Sequence, residues 1–370
     1  MSFEPRNLFI TGGAGFIGTN FVRHWLSKTK EGRVIVFDAL TYAGNIDNLS
    51  GLERNPRYEF VRGDICDEAR VRTLLEQSRI DTVVHFAAES HVDRSILGPD
   101  DFIRTNVVGT HALLKAAKAL WVDKKMVPAH RFHHVSTDEV YGSLGASDPA
   151  FTEATAYAPN SPYSASKAAS DHLVRAYHET YGLSTTVTNC SNNYGPYHFP
   201  EKLIPLTIVN ILLGKPLPVY GDGLQIRDWL HVDDHCEAIS LALRRGRPGE
   251  VYNVGGNSET ANIEIVRALC ELVDLRLTAR PELQKQFAAS PRFNGKSAAE
   301  LITHVRDRPG HDRRYAVNYA KAARDLKYAP AKNLKSGLAA TVDWYLHNIP
   351  WWQALLGRDY ADWLTKNYTR

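Results

Sequence analysis

Leu8-Phe9-Ile10-Thr11-Gly12-Gly13-Ala14-Gly15-Phe16-Ile17-Gly18 is the stretch that decides the fold. A short apolar strand pattern runs into a glycine-rich turn, and a helical pattern over Phe16–Lys28 starts directly behind it. Glycines let the chain turn sharply and let its backbone approach a pyrophosphate, while the helix start offers free N–H groups and about half a positive charge. Gly18 leaves room where the helix must pack on the strand. A glycine pattern carries little by itself, but Asp38 closes the next strand pattern 20 residues after Gly18. A carboxylate there accepts hydrogen bonds from both ribose hydroxyls of an adenosine and repels a 2′-phosphate. The following Ala39-Leu40-Thr41 offers no arginine to receive such a phosphate. NAD is therefore expected as the cofactor rather than NADP.

Outward from this loop, short β-branched runs alternate with longer amphipathic ones. Strands are expected at Asn7–Thr11, Val34–Asp38, Tyr58–Arg62, Thr82–Ala87, Phe132–Thr137 and Thr185–Cys190. Helices are expected at Phe16–Lys28, Glu68–Gln77, Asp101–Ala119 and Tyr163–Tyr181. Alternation of this kind predicts right-handed βαβ units. The expected fold is α/β: a Rossmann-type doubly wound parallel sheet with a smaller C-terminal α/β substrate-binding domain. Residues 1–195 are assigned to the NAD-binding domain and 196–370 mainly to the substrate-binding domain, with about 229–256, including the strand pattern Val251–Val254, returning to the first. Trp344, Trp351, Trp352 and Trp363 are expected to dock C-terminal helices onto the core.

Composition narrows the alternatives. Of 370 residues, 44% are hydrophobic and 23% charged, which excludes a disordered, collagen-like or coiled-coil chain. Subtracting 41 acidic from 44 basic residues leaves +3, too small an excess to suggest a nucleic-acid partner. No apolar run approaches the length of a bilayer span, so no membrane partner or secretion signal is expected and a cytoplasmic location is. Cys66, Cys190, Cys236 and Cys270 form no CxxC pair, and the 15 histidines contain no HExxH, so no metal is expected. His133-His134 lie in a strand pattern and are expected to pack as a core pair.

The chemistry is concentrated in two further segments. Ser161-Pro162 starts a helix as N-cap and first-turn proline, which puts Tyr163 and Lys167 on one face four residues apart. Lowering a tyrosine pKa of ~10 by about three units requires ~4 kcal/mol. One ammonium at about 5 Å, at an effective dielectric near 20, contributes ~3 kcal/mol. Lys167 is thus expected to supply most of the shift that turns Tyr163 into a base. In Val135-Ser136-Thr137-Asp138-Glu139-Val140-Tyr141, Ser136 or Thr137 can hydrogen-bond an oxygen being oxidised. Asp138 and Glu139 place two carboxyl groups beside the same centre, and like charges in a closed site raise one pKa, giving one proton donor and one acceptor. A simple alcohol dehydrogenase needs no such pair, so an elimination step is expected in addition.

On these motifs the chain resembles the extended short-chain dehydrogenase/reductase family, and within it the dTDP-glucose 4,6-dehydratases. Matching pieces include Thr11–Gly18, Asp38–Asn45, Ala87–Ser95, Ser136–Tyr141, Tyr163–Lys167, Thr188–Leu203, Arg227-Asp228-Trp229 and Asp307–Tyr315. The resemblance implies a hydro-lyase that converts dTDP-glucose to its 4-keto-6-deoxy product, with catalytic Thr137, Asp138, Glu139, Tyr163 and Lys167. It implies NAD contacts from Gly12, Gly15, Phe16, Ile17, Gly18, Asp38, Ala39, Leu40, Thr41, Asp64, Ile65, Ala87, Ala88, Thr105, Tyr163, Lys167 and Asn193. It assigns the sugar nucleotide to Ser90, Thr137, Asn192, Lys202, Leu203, Pro218, Tyr220, Arg227, Asn262, Asp307, Arg308 and His311. It further implies a homodimer and a place in deoxysugar biosynthesis, such as the dTDP-rhamnose of lipopolysaccharide or other cell-surface polysaccharide. Arg306, Arg308, Arg313 and Arg314 are expected to face a pyrophosphate together with Arg227. Two stretches depart from the family pattern: a short Ser143–Pro149, expected to alter a lid, and a long Arg280–Val305, expected to alter the nucleotide cover. The competing readings are a 4-epimerase, a sugar-nucleotide decarboxylase, a GDP-mannose dehydratase with NADP, and a non-catalytic NAD-binding scaffold. Asp138-Glu139 argues against the epimerase, Asp38 against NADP, and the complete catalytic set against the scaffold.

Overall fold

The structure is a computed structural model and describes residues 3–307 and 311–357. Its strands are β1 Leu8–Thr11, β2 Val34–Asp38, β3 Tyr58–Arg62, β4 Thr82–His85, β5 Arg131–Thr137, β6 Thr185–Cys190, β7 Asn192–Tyr194, β8 Leu217–Tyr220, β9 Ile226–His231, β10 Val251–Val254, β11 Glu259–Ala261 and β12 Ile302–Val305. Seven of them form one sheet in the order β10-β6-β5-β4-β1-β2-β3, and every pairing in it is parallel.

Period-2 alternation decides which face each residue covers. Phe9, Ile35, Phe37 and Val83 turn to the side of helices Glu68–Gln77 and Thr110–Lys118. Their neighbours Leu8, Ile10, Val34, Val36 and Val84 turn to helices Phe16–Lys28 and Val232–Arg245. Both faces are thereby buried, which is why these strands read as near-continuous apolar runs. The expected strand Val251–Val254 pairs with β6, with Tyr252 opposite Thr188.

Strand order reverses between β1 and β4, and the crevice at the carboxyl ends of the strands beside that reversal is where open α/β sheets hold ligands. Over it lies a second core built on helices Leu203–Leu213, Asn262–Thr278, Leu334–His347 and Ile349–Leu355. Two small sheets, β11-β9-β7 and β12-β8, edge this region. Most of their strands run only three or four residues, too few for a period-2 pattern to stand out, so only turns were legible there. The expected helix 101–119 is helical but not uniform: Ile103–Gly109 is a stretch of π-helix ahead of Thr110–Lys118.

Trp352 is fully buried and stacks with Phe287, while Trp344 and Trp351 meet edge-on beside Tyr197. The Trp351 indole donates to Asn48 Oδ1 (2.7 Å), and Asn48 Nδ2 donates to the Ala14 carbonyl of the glycine loop (2.8 Å). Trp363 lies outside the described residues. His133 is packed in the core between the hydroxyls of Thr186 and Thr188.

None of residues 280–305 lines the cleft at the carboxyl ends of the sheet strands. They form short 3-10 turns that bury Phe287 and Ala298 against helix Asn262–Thr278, and β12 pairs with β8. Segment 143–149 is tied down rather than left free: Leu144 N–H donates to the Arg314 carbonyl, and Arg314 Nη1 to the Asp148 carbonyl (2.7 Å). Among the described residues, no helix is long and apolar enough to cross a membrane.

Candidate active site

A cleft of about 460 Å3 runs along the carboxyl ends of β1, β4, β5 and β6 and is roofed by the second core. At one end lies the glycine loop. Gly12 has φ +69°, and a Cβ there would lie 2.6 Å from the Ala87 nitrogen. A Cβ on Gly18 would lie 2.2 Å from the Gly12 carbonyl oxygen. Helix Phe16–Lys28 starts at Gly15 with no side-chain cap, so its first N–H groups face the cleft unoccupied by a side chain. Asp38, 7% exposed, accepts from the Ala14 N–H through Oδ2 (2.9 Å) and from Leu40 N–H through Oδ1 (2.8 Å). It thus fixes the loop as well as facing the ribose position. Asp64 closes a turn by accepting from Cys66 N–H and pairs with Arg104 at 2.6 Å; these bonds outweigh its burial and lower its pKa. A cradle that only glycine fits, with open N–H groups, suits a dinucleotide pyrophosphate. Of the expected cofactor residues all but Leu40 line the cleft. Leu40 takes φ 55° and packs into the apolar cluster beside β2, so only its N–H serves the site.

The catalytic set meets at the end of β5. Thr137, Glu139, Tyr163 and Lys167 line the cleft, whereas Asp138 stands behind it, 1% exposed. Burial, then the neighbouring Glu139 and Asp228, push the Asp138 carboxyl well above the usual carboxylate range, which favours its protonated form. The helix start is as expected, with Ser161 and Ser164 forming a reciprocal cap behind Pro162. The expected activation of Tyr163 by Lys167 is not what the site shows. Burial, followed by Glu139, raises the Tyr163 phenol well above its ordinary value. Lys167 donates instead to the Val135 carbonyl (2.8 Å) and lies 3.4 Å from His134 Nε2, and burial lowers its own pKa to about 8. A fully enclosed phenol costs more to ionise than one ammonium restores.

Behind Lys167 lies a carboxylate that the motif reading passed over. Asp171 Oδ1 is 3.2 Å from His134 Nε2, and its Oδ2 accepts from Ser136 and Tyr157 hydroxyls, each at 2.9 Å. Asp171 is four residues beyond Lys167 on the same helical face, the spacing that already paired Tyr163 with Lys167. His134 is therefore more than a packed core residue. Asp171 and Cys190 raise the Lys167 pKa against burial, with Asp171 the larger of the two. Asp171→Asn should let that pKa fall below about 8, so the ammonium is lost earlier as pH rises. The alkaline limb of kcat is expected to move down by about one pH unit. A pH–rate profile with an unmoved limb would rule this out.

The far end of the cleft is lined by Ser90, Asn192, Lys202, Leu203, Pro218, Tyr220, Arg227, Asn262 and His311. Arg227 is 5% exposed, lies 4.3 Å over the Tyr315 ring and donates to the Ile226 and Asp312 carbonyls, which orient the guanidinium. Asp307 does not line the cleft; it accepts from Gln225 (2.8 Å) and pairs with His311 Nδ1 (2.6 Å). Arg308 lies outside the described residues. Arg313 and Arg314 do not join Arg227: Asp222 holds the first at 3.0 Å and Glu259 the second at 2.7 Å, the nearest carboxylates taking both charges. Tyr42, Glu89, His91 and Glu201 also line the cleft without having been singled out, although all four sit inside quoted stretches: Tyr42 in Asp38–Asn45, Glu89 and His91 in Ala87–Ser95, and Glu201 in Thr188–Leu203. Glu201 is 3% exposed beside Arg94 (3.5 Å), whose guanidinium lies 3.9 Å over the Tyr42 ring.

Comparison with known proteins agrees with this arrangement. The family model described as GDP-mannose 4,6 dehydratase matches residues 9–341. A dTDP-glucose 4,6-dehydratase of Xanthomonas campestris pv. campestris is 58% identical over 95% of this chain and 96% of its own. One from Neisseria meningitidis serogroup B is 55% identical over 96% of this chain and 97% of its own. The Streptomyces venezuelae dTDP-glucose 4,6-dehydratase, solved with NAD and dTDP bound, superposes with a TM-score of 0.83 at 46% identity, covering 94% of this chain and 99% of that one. The sheet order, the cleft and these matches along nearly the whole length lead to one statement: the chain belongs to the dTDP-glucose 4,6-dehydratase family of the extended short-chain dehydrogenases/reductases.

Proposed function

We propose that the protein dehydrates dTDP-glucose to dTDP-4-keto-6-deoxyglucose as an NAD-dependent hydro-lyase. One observation carries the reading: Asp138, buried directly behind Glu139 and Tyr163 at a dinucleotide cleft, with its carboxyl pKa pushed up chiefly by that burial. NAD held by the glycine loop, Asp38 and Lys167 would supply the hydride acceptor for C4 and the donor for C6, and its positive charge would favour the Tyr163 phenolate. Tyr163 accepts the proton of the 4-hydroxyl. The resulting ketone acidifies C5–H, which Glu139 removes while Asp138 protonates the departing 6-hydroxyl. Glu139 then returns a proton to C5. Thr137 orients the 4-oxygen, and Lys167 holds the cofactor side of the site in register. Gly12, Gly15, Asp38, Asp64 and Asn193 serve the cofactor; Asn192, Lys202, Arg227, Asn262 and His311 serve the sugar nucleotide, with Arg227 set for bidentate bonding to a phosphate. A 4-epimerase would need neither an acid nor a second base, and this pair favours elimination.

A homodimer and a cytoplasmic location are part of the same proposal and rest on the family resemblance. In deuterated water, incubation with dTDP-glucose should give a 4-keto-6-deoxy product carrying deuterium at C5, without stoichiometric release of NADH. A 4-epimer without dehydration would overturn the assignment.

A further inference from the structure

Three segments far apart in sequence meet at Arg94. The first follows β2 and carries Asp38 and Tyr42. The second follows β4 and runs into the short helix Val92–Leu97, on which Arg94 stands. The third, 195–202, leaves β7 and enters helix Leu203–Leu213 of the second core. The Arg94 guanidinium lies 3.9 Å over the Tyr42 ring, and its Nη2 is 3.5 Å from Glu201 Oε2. Tyr42 in turn meets Phe199 edge-on at 6.2 Å, which closes the triangle.

The pair is not incidental surface charge. Glu201 is 3% exposed, and a carboxylate buried that far is costly unless a cation accompanies it. Burial raises its pKa, while Lys202 and then Arg94 oppose the rise. His91 Nε2 lies 3.9 Å from the same Glu201 oxygen, and the half-buried Glu89 also faces Arg94. Arg94 does not line the cleft, so it acts through other residues rather than on a ligand.

What the pair fixes is the residue beside it. Lys202 follows Glu201 directly and sits at the start of helix Leu203–Leu213; its Nζ donates to the Ser90 carbonyl (3.2 Å). Lys202 and Ser90 are both assigned above to the sugar nucleotide. A lysine has many rotamers to lose, so its ammonium is placed only as well as its backbone is held. The far end of the same segment is already pinned. Asn20 Nδ2 donates to the Pro196 carbonyl (2.9 Å), and His198 stacks on Phe16 at 4.1 Å. Arg94 pins the near end.

We propose that Arg94 is a positioning residue for the sugar nucleotide: paired with Glu201 and stacked on Tyr42, it holds segment 196–202 against the sheet domain so that Lys202 meets the substrate in a fixed place. The reacting groups Thr137, Glu139, Tyr163 and Lys167 stand on other elements, at the end of β5 and on helix Pro162–Tyr181. Loss of Arg94 therefore weakens binding more than it slows chemistry.

This inference rests on the dehydratase reading, and the test keeps the two apart. Arg94→Met keeps the long stem without the charge, and Arg94→Lys keeps a cation. Glu201→Gln keeps the shape of the buried side chain without its charge. Steady-state kinetics with dTDP-glucose and calorimetric titration with dTDP, both on the NAD-loaded enzyme, compare the variants with wild type. Arg94→Met should raise KM and the dTDP Kd about tenfold while kcat changes by less than about threefold. Arg94→Lys should return KM and Kd to within about threefold of wild type. Adding Glu201→Gln to Arg94→Met should recover part of the loss, because it removes a buried carboxylate left without its partner. A methionine variant with wild-type KM and Kd would overturn the inference. So would a loss shared by KM and kcat that lysine does not repair, which marks an effect on the whole fold. Wild type that forms no 4-keto-6-deoxy product overturns the dehydratase reading instead, and the dTDP titration still judges Arg94.

Discussion

Asp138→Asn and Glu139→Gln each lower dehydration by about 10²- to 10⁴-fold while NAD remains bound. The two losses should differ in kind. Asn cannot donate the acid proton that burial favours on Asp138, so the 6-hydroxyl leaves poorly. C4 oxidation and exchange of the C5 proton survive, and reduced cofactor accumulates on the enzyme. Gln cannot take the C5 proton, so the glutamine variant oxidises C4 yet incorporates little deuterium at C5. Absorbance at the reduced-nicotinamide band and mass spectrometry of recovered sugar nucleotide distinguish them. Near-normal turnover in both would reduce the pair to a cap on the short Asp138–Tyr141 helical turn.

Gly18→Ala is expected to have the largest effect on cofactor binding. Its methyl would lie 2.2 Å from the Gly12 carbonyl oxygen and 2.7 Å from Gly13 Cα, both backbone atoms that cannot swing aside as a side chain would. The loop must move, and the loop is what presents N–H groups to the pyrophosphate. Overpacking of this kind costs about 1–3 kcal/mol. If the strain falls on the loop, NAD binds roughly 5- to 150-fold more weakly by that amount, and the melting temperature falls with it. Calorimetric titration with NAD checks the first and thermal unfolding the second. Unchanged affinity would show that the helix can shift without disturbing the loop.

Much of this molecule is legible in its sequence, because buried parallel strands and amphipathic helices carry strong periodic signals. β2, β3 and β6 begin and end where their apolar runs do, and Phe16–Lys28 follows its glycine turn without a gap. The site was legible where chemistry and spacing coincide, as at Asp138-Glu139 and Tyr163/Lys167. Two things were hidden. Burial depends on every element packed around a residue, so neither the raised Tyr163 pKa nor the lowered one of Lys167 follows from their spacing. Contacts across the fold are equally silent: nothing near Arg313 or Arg314 in sequence announces Asp222 or Glu259.

The Asn48 amide joins the glycine loop to the C-terminal helices. It holds the glycine-loop carbonyl of Ala14 on one side and receives the Trp351 indole on the other, across 303 residues of chain. During synthesis on the ribosome the nucleotide-binding strands can pair early, yet this contact cannot form until residue 351 has emerged and docked. The phosphate loop is thus finished late, and a shortened chain that keeps every strand of the large sheet would still lack the indole that Asn48 is built to meet.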